Sequence, residues 1–181
     1  MTCIVGAVES GSVYIGADSM GSSGYCSQTI RQPKVFLLQD RFIVGYTTSF
    51  RMGQIIEHDF IAPKHPNGMS VETFMTSVFI NDLRECLKNK GWAEKEKERE
   101  SGGNFLVGYQ GRLFEVQGDY SVLETTDGYN AVGSGYAYAL GAMSCAVGGP
   151  RQRILTALIA AEKFSPSVSG PFTVLKLESI T

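Results

Sequence analysis

Thr2 is the first residue in the sequence whose type and position could do chemistry. It becomes the first residue of the chain if Met1 is removed, and this removal is usual when the next residue is small. A threonine hydroxyl is a weak nucleophile until a base takes its proton. A terminal α-amine has a reference pKa of about 7.7–8.0, so part of it is neutral at physiological pH. Thr2 is therefore predicted to supply both nucleophile and base, the alternative being that threonine is simply a common second residue.

Asp18 is predicted to lie beside Thr2. The apolar runs Cys3 to Val8 and Val13 to Ala17 flank a short turn, which is typical of a β-hairpin. A hairpin that turns at residues 10 and 11 pairs positions whose numbers sum to about 21. Asp18 then lies opposite the residue that follows Thr2, so the carboxylate and the hydroxyl share one end of a sheet.

Lys34 is predicted to reach the same end of the structure. Val35 to Leu38 and Phe42 to Tyr46 form a second hairpin, which places Lys34 near the Thr47-Thr48 step. Consecutive strands are usually neighbours, so the two hairpin ends are expected to meet. The Lys34 ammonium would favour an alkoxide and keep a nearby amine neutral, and Asp18 would balance its charge. The alternative is structural: Asp18 starts a turn, or the two residues form only an ion pair.

The elements that position these residues alternate between strands and helices. We predict an α+β fold in which two antiparallel sheets stack face to face, each covered on its outside by two helices. Residues 1–181 are expected to form one domain. After the second hairpin the pattern predicts two helices, one after Ser49 that ends before Pro63 and one capped by Ser70 that stops at Gly91. Three strands follow, at Asn104 to Tyr109, Leu113 to Val116 and Tyr129 to Val132. The chain then continues with helices at Tyr136 to Val147 and from Pro150, and with a strand at Phe172 to Leu177.

Two polar segments interrupt this pattern. The Gly/Ser-rich run Gly21-Ser22-Ser23-Gly24 is predicted to be a loop. Glu94 to Glu100 contains no apolar residue, so we predict a solvated helix extension or a mobile loop there, with a docking surface as the less favoured interpretation.

Composition excludes several classes of function. The net charge of −2 over 181 residues argues against a nucleic-acid binder, and no apolar run is long enough to span a membrane. The N-terminus lacks the features of a signal peptide. The cysteines form no CxxC pair, so we expect neither metal nor cofactor, and scattered thiols favour a cytoplasmic location. The four cysteines and two histidines are Cys3, Cys26, Cys86, Cys145, His58 and His65.

Several short motifs, in this order and at these spacings, resemble the proteasome β-subunit family, and most of all its short bacterial relatives of the HslV type. The resemblance extends over essentially the whole chain. It implies the N-terminal nucleophile hydrolase fold, a four-layer αββα sandwich. The motifs are Thr2-Cys3-Ile4-Val5-Gly6, Tyr14-Ile15-Gly16-Ala17-Asp18-Ser19, Lys34-Val35-Phe36, Ile43-Val44-Gly45 and Ala131-Val132-Gly133-Ser134-Gly135.

The resemblance implies a role for five positions. Thr2 matches the nucleophile, Lys34 the catalytic lysine and Asp18 its partner. Ser134 matches the serine that hydrogen-bonds the threonine amine, although it could also be only the N-cap of a helix. Thr48 stands where the family has its oxyanion-hole glycine; a backbone N–H can still serve there, but threonine disfavours positive φ.

Two further regions are carried over from the family. Phe36, Tyr46 and Phe50 match positions that line the pocket for the residue before the cut, with aromatic core packing as an equally weighted alternative. The family's D-x-x-S-G pattern before the last strand reads Pro166-Ser167-Val168-Ser169-Gly170 here, so Ser169 is retained and the aspartate is lost. The loss of this aspartate puts the support of the Ser134 side chain in doubt.

The function that the resemblance implies is a threonine-type endopeptidase that cleaves unfolded polypeptides inside a homo-oligomeric ring, with an ATP-dependent unfoldase as partner. Two alternatives stay open. One is a hydrolase of small amides on the same fold, because fold does not fix substrate. The other is a catalytically inactive ring or scaffold component, favoured by the missing aspartate.

Overall fold

A computed structural model describes residues 2–23, 26–92, 94–96 and 99–178 of the chain. The strands are β1 (Ile4–Glu9), β2 (Ser12–Ala17), β3 (Met20–Ser23), β4 (Cys26–Thr29), β5 (Val35–Leu38), β6 (Phe42–Tyr46), β7 (Glu94–Glu96), β8 (Arg99–Ser101), β9 (Phe105–Tyr109), β10 (Arg112–Val116), β11 (Val122–Glu124), β12 (Tyr129–Val132) and β13 (Thr173–Leu177). The helices are α1 (Phe50–His58), α2 (Val71–Thr73), α3 (Ile80–Asn89), α4 (Tyr136–Cys145) and α5 (Pro150–Phe164), and a π-helical stretch (Phe74–Phe79) joins α2 to α3.

In the first sheet, the N-terminal strand β1 is an inner strand. Its strand order is β12-β1-β2-β13, and all neighbours are antiparallel. Ile4 pairs with Ala17 on one side and with Val132 on the other. The residues just before β1, just after β2 and just after β12 therefore meet at one end of the sheet.

The second sheet has the strand order β11-β10-β9-β6-β5, again antiparallel throughout. Val35 pairs with Gly45, and the Tyr46 N–H donates to the Lys34 carbonyl over 3.0 Å. This register fixes Lys34 at the end of β5 that faces the start of α1.

Three apolar clusters hold these elements together. One lies between the sheets and draws on both: it includes Ile4 and Ile15 from the first sheet and Ile43 and Leu106 from the second. A Cβ on Gly45 would lie 2.5 Å from Ile4 Cγ2, so the absence of a side chain there lets the sheets approach. A second cluster packs α1, the π-helical stretch and α3 on the second sheet, and a third packs α4 and α5 on the first.

Most of the predicted elements are confirmed. The structure is α+β with antiparallel sheets, and both predicted hairpin registers are found. Ser49 caps α1 through the Arg51 N–H, and Ser70 caps α2 through the Thr73 N–H, as helix N-cap serines do. The change from α- to π-helical geometry between Phe74 and Phe79 was not predicted.

Two predictions about polar segments were wrong. The Gly/Ser-rich run was predicted to be a loop, but Met20–Ser23 pairs with Cys26–Thr29 as a two-stranded sheet; Gly24 itself lies outside the described residues. The Glu94 to Glu100 segment was predicted to extend a helix or to form a mobile loop. Its described part pairs Glu94–Glu96 with Arg99–Ser101, since backbone hydrogen bonds of a hairpin do not require an apolar face. Strand β11 was not predicted at all.

Within the described ranges, none of the helices combines the length and apolar character that crossing a bilayer requires. Across the same residues, no group of three or more His, Cys, Asp or Glu side chains is placed to hold a metal ion.

Candidate active site

A buried ion pair between Asp18 and Lys34 forms the base of the site. Lys34 Nζ lies 2.9 and 3.0 Å from the two carboxylate oxygens of Asp18 and donates a third hydrogen bond to the Met20 carbonyl over 2.6 Å. Asp18 also accepts the backbone N–H groups of Cys3 and Met20 at 2.9 and 3.0 Å. Both charged residues are 1% exposed. Such a pair tolerates burial because every charge is matched by hydrogen bonds.

Burial lowers the pKa of the Lys34 ammonium below its ordinary value of 10.5, and the neighbouring Asp18 carboxylate only partly opposes this. Desolvation disfavours the charged form of a lysine, whereas an adjacent anion favours it. Lys34 is thus a cation that is more easily deprotonated than a surface lysine.

Thr2 is tied to Ser134 on the opposite side from the ion pair. The Thr2 N–H donates to Ser134 Oγ over 3.1 Å, and the Ser134 hydroxyl donates to the Thr2 carbonyl over 3.2 Å. The Gly135 N–H approaches the same carbonyl at 3.4 Å. These contacts exist because β1 and β12 are neighbouring strands, so the turn after β12 folds back over the first residues of β1.

Thr48 adopts the left-handed backbone region, with φ of +66°. Its hydroxyl accepts the Asn104 N–H over 3.2 Å and lies 3.2 Å from the Thr47 hydroxyl, which itself donates to the Asn104 carbonyl over 2.7 Å. A β-branched residue in this region is strained. The hydrogen bonds with Thr47 and Asn104 hold the strained turn in place.

A cavity of about 320 Å³ opens beside these groups. It brings together Thr2, Lys34, Thr48 and two of the predicted pocket aromatics, Tyr46 and Phe50, whose rings are in edge-to-face contact with centroids 6.4 Å apart. The cavity is also lined by Ser22, Thr47, Ser49 and Arg51.

Two predicted site residues are placed differently. Among the described residues, Phe36 does not line this cavity; it is 5% exposed and contacts the Tyr46 ring from the apolar cluster behind it. The Ser169 hydroxyl donates to Glu162 Oε1 over 3.3 Å, towards α5. Only the Ser169 carbonyl reaches towards the site, where it accepts the Ser19 N–H over 3.0 Å.

Sequence reasoning missed the contribution of a neighbouring serine. The Ser167 hydroxyl lies 2.8 Å from Ser134 Oγ and 3.0 Å from Ser165 Oγ. Ser165 and Ser167 are both buried. Pro166 and Ser167 lie in a turn in which the Val168 N–H donates to the Ser165 carbonyl over 3.3 Å, so the meeting of the two hydroxyls depends on turn geometry that the spacing of the serines does not signal.

Cys3 follows Thr2 directly but is not suited to act as a nucleophile. Its side chain is fully buried, and burial, reinforced by the Asp18 charge, raises its pKa to about 12. A thiol with so high a pKa carries almost no thiolate at neutral pH. Of the two adjacent candidates, only Thr2 lines the cavity.

Comparisons with solved structures give the class of fold. BPH from Thiobacillus denitrificans, in complex with epoxomicin, matches with a TM-score of 0.82 and 22% identity, over 99% of this chain and 100% of that one. HslV from Trypanosoma brucei matches with a TM-score of 0.69 and 18% identity, over 98% and 99% of the two chains. Anbu, an ancestral beta-subunit from Yersinia bercovieri, matches with a TM-score of 0.66 and 18% identity, over 97% and 81%.

The chain therefore has the fold of HslV-type, proteasome-like subunits, as the sequence resemblance implied. No family model and no curated protein matches the sequence itself.

Proposed function

We propose that this chain is a threonine-type endopeptidase in which Thr2, freed of Met1, is nucleophile and base. The observation that carries the proposal is the shared cavity: Thr2, the buried Lys34 and the Thr48 turn all line it, and Ser134 holds the Thr2 nitrogen from behind. While Met1 is attached, the Thr2 nitrogen is an amide and cannot act as a base. Removal of Met1 turns it into an amine whose lone pair can accept the hydroxyl proton.

The first step is acylation of Thr2. The α-amine takes the proton of the Thr2 hydroxyl, and Oγ attacks the carbonyl carbon of the substrate's peptide bond. Lys34, held as a cation by Asp18, stabilises the developing alkoxide and keeps the amine neutral by like-charge repulsion. The backbone N–H of Thr48 donates to the oxyanion of the tetrahedral intermediate. Collapse of this intermediate breaks the C–N bond, and the Thr2 ammonium returns its proton to the leaving amine.

The second step is hydrolysis of the ester on Thr2. The α-amine, neutral again, takes a proton from a water molecule, whose oxygen attacks the ester carbonyl. The same N–H stabilises the second oxyanion, and the amine's proton passes to Oγ as the acid product leaves. Tyr46 and Phe50 contact the substrate side chain that precedes the cut, and Phe36 supports Tyr46 from behind. Ser169 takes part only through its carbonyl, which accepts the N–H of Ser19, the residue after Asp18, over 3.0 Å.

The polypeptide substrate is proposed to be unfolded and to be cleaved inside a homo-oligomeric ring, with an ATP-dependent unfoldase as the partner that supplies it. The subunit is proposed to be a single domain built as the four-layer αββα sandwich, which the three apolar clusters between successive layers support. The four cysteines are all free, which supports a reducing, cytoplasmic location.

The proposal is tested by hydrolysis of fluorogenic peptides by wild type, Thr2→Ala and Thr2→Ser. Thr2→Ala is expected to remove activity without changing the assembly seen by size-exclusion chromatography. Thr2→Ser keeps a hydroxyl on the terminal residue and is expected to retain measurable turnover. Full activity of Thr2→Ala would show that the nucleophile lies elsewhere.

The two alternatives are separated by comparing hydrolysis of peptides with hydrolysis of small acyl amides and by testing whether Met1 is retained. A wild-type protein that turns over small acyl amides but no peptides is the small-amide hydrolase. A protein that assembles and hydrolyses neither class of substrate, with Met1 retained, is the inactive scaffold.

A further inference from the structure

The hydroxyls of Ser134, Ser167 and Ser165 form a continuous chain that ends at the Thr2 nitrogen. Successive oxygens are 2.8 and 3.0 Å apart, and the Thr2 nitrogen lies 3.1 Å from Ser134 Oγ. Ser134 is exposed, whereas Ser165 and Ser167 are 6% and 4% exposed. The two buried hydroxyls, of Ser165 and Ser167, can therefore fix the orientation of the exposed Ser134 hydroxyl.

Counting protons sets the direction of every bond in this chain. A serine hydroxyl has one proton to donate and two lone pairs to accept with. The Thr2 carbonyl can only accept, so its bond with Ser134 uses the single Ser134 proton. Ser167 must then donate to Ser134, and Ser165 must donate to Ser167.

The result is that Ser134 meets the Thr2 nitrogen as an acceptor. An acceptor engages an N–H of the amine and leaves the nitrogen lone pair directed elsewhere. If the Ser134 proton pointed at the nitrogen instead, it would occupy the lone pair that the proposed mechanism needs for the Thr2 hydroxyl.

We propose that Ser167 is a positioning residue, which by donating to Ser134 Oγ fixes the proton of Ser134 on the Thr2 carbonyl and keeps the lone pair of the Thr2 amine available. Ser165 in turn donates to Ser167 and so fixes the direction of the Ser167 hydroxyl. All three members of the chain are neutral hydroxyls, so the device orients a proton without adding a charge. Hydrogen bonds aligned head to tail polarise one another, which strengthens the orientation.

This inference rests on the proposed peptidase function, and its test is a pH profile of peptide hydrolysis. Loss of the Ser167 donor leaves Ser134 free to turn its proton towards the amine. An acceptor favours the ammonium form and a donor favours the neutral form, so the acid limb of kcat/KM moves to lower pH. We expect Ser167→Ala to lower kcat by about tenfold with KM unchanged, and to shift the acid limb down by about half a pH unit.

Three further variants frame the result. Ser167→Thr keeps the donor and is expected to restore both kcat and the acid limb. Ser165→Ala removes only the outer donor and is expected to shift both in the same direction by less. Ser144→Ala is the matched control, because the exposed Ser144 hydroxyl donates to the Gly141 carbonyl within its own helix and has no other side-chain partner among the described residues. It is expected to behave as wild type.

A folded Ser167→Ala with wild-type kcat, or with a lowered kcat and an unmoved acid limb, overturns the inference. If thermal unfolding shows that Ser167→Ala does not fold, kcat and the acid limb of Ser165→Ala provide the test instead. The rate at which epoxomicin adds to Thr2, followed by intact mass, separates this inference from the function beneath it. No adduct on the wild type contradicts the peptidase proposal, whereas equal rates on wild type and Ser167→Ala at every pH contradict only the role of Ser167.

Discussion

The carbonyl oxygen of Thr2 rests against the Cα of Gly133, so closely that a Cβ on Gly133 would lie 2.3 Å from that oxygen. Gly133 also has φ of +96°, which L side chains rarely adopt. The turn after β12 therefore contacts Thr2 directly, backbone against backbone. Ser134, the next residue, can reach the Thr2 nitrogen only because Gly133 allows this approach.

Substitution Gly133→Ala is expected to displace Thr2 and to lower peptidase activity by about a hundredfold or more, since misplacement of about 1 Å has effects of this size. The backbone strain alone is expected to cost about 1–2 kcal/mol. Gly128→Ala is the matched control: Gly128 has φ of +71°, but no atom of the described residues lies within 4 Å of its Cβ position. It should lose similar stability in thermal unfolding and keep its activity. Equal activity losses in the two variants would mean that strain, and not the contact with Thr2, is responsible.

The strain at Thr48 leads to a second prediction. Thr48→Gly relieves the positive φ of +66° but loses the side-chain hydrogen bonds to Thr47 and Asn104, and these two effects, each about 1 kcal/mol, nearly cancel. Because the backbone N–H is kept, kcat is expected to stay within about threefold of wild type. Thr48→Val keeps the strain and loses the hydrogen bonds, so it should be the less stable variant in urea unfolding. Loss of activity in Thr48→Gly as complete as in Thr2→Ala would show that the side chain takes part in the chemistry.

The ion pair can be separated into its structural and chemical parts. Lys34→Met leaves the Asp18 carboxylate buried and unpaired, and is expected to destabilise the protein by about 3–5 kcal/mol. The double variant Asp18→Asn/Lys34→Met removes both charges and is expected to recover most of that loss in urea unfolding. Neither variant should hydrolyse peptides, because the cation is gone in both. Activity in the double variant would show that the pair only holds the fold.

The lowered pKa of Lys34 makes activity and stability respond to alkaline pH in opposite directions. Between the folded pKa and the ordinary value of 10.5, the unfolded chain binds more protons at this position than the folded chain does. The free energy of unfolding is therefore expected to gain from Lys34 as pH rises through that window. Activity is expected to fall in the same window, because the cation beside Thr2 is lost. A peptidase rate that stays level up to pH 10.5 contradicts the catalytic role of the ammonium.

Cys3 is expected to be chemically silent despite its place next to Thr2. Its pKa of about 12 and full burial protect it, so iodoacetamide at pH about 8 should leave it unmodified and leave activity intact. The exposed Cys145 is the positive control for alkylation in the same sample. Peptide mapping reports both sites, and alkylation of Cys3 with parallel loss of activity would point to a thiol nucleophile.

The sequence was most informative where local pairing determines structure. Hairpin registers follow from turn positions, so the meeting of Asp18 with the Thr2 end, and of Lys34 with Tyr46, could be predicted by counting residues. The helix that follows Ser49 could be placed because its cap and apolar stripe are both local signals.

The serine chain could not be predicted in the same way. Ser134 and Ser167 are 33 residues apart and meet only after α4 and α5 have folded over the first sheet. The family resemblance directed attention to Ser169, whereas the hydroxyl that reaches Ser134 belongs to Ser167. The β3–β4 and β7–β8 hairpins were missed for a different reason, since polar strands lack the apolar alternation by which strands are recognised.

The central claim is that a free amine on Thr2 activates the hydroxyl of the same residue. Intact-mass analysis of the purified, active protein, before and after reaction with epoxomicin, tests it most directly. We predict a chain that begins at Thr2 and gains one inhibitor per subunit, mapped to Thr2, in step with the loss of peptidase activity. An active protein that still carries Met1, or an adduct on any other residue, would contradict it.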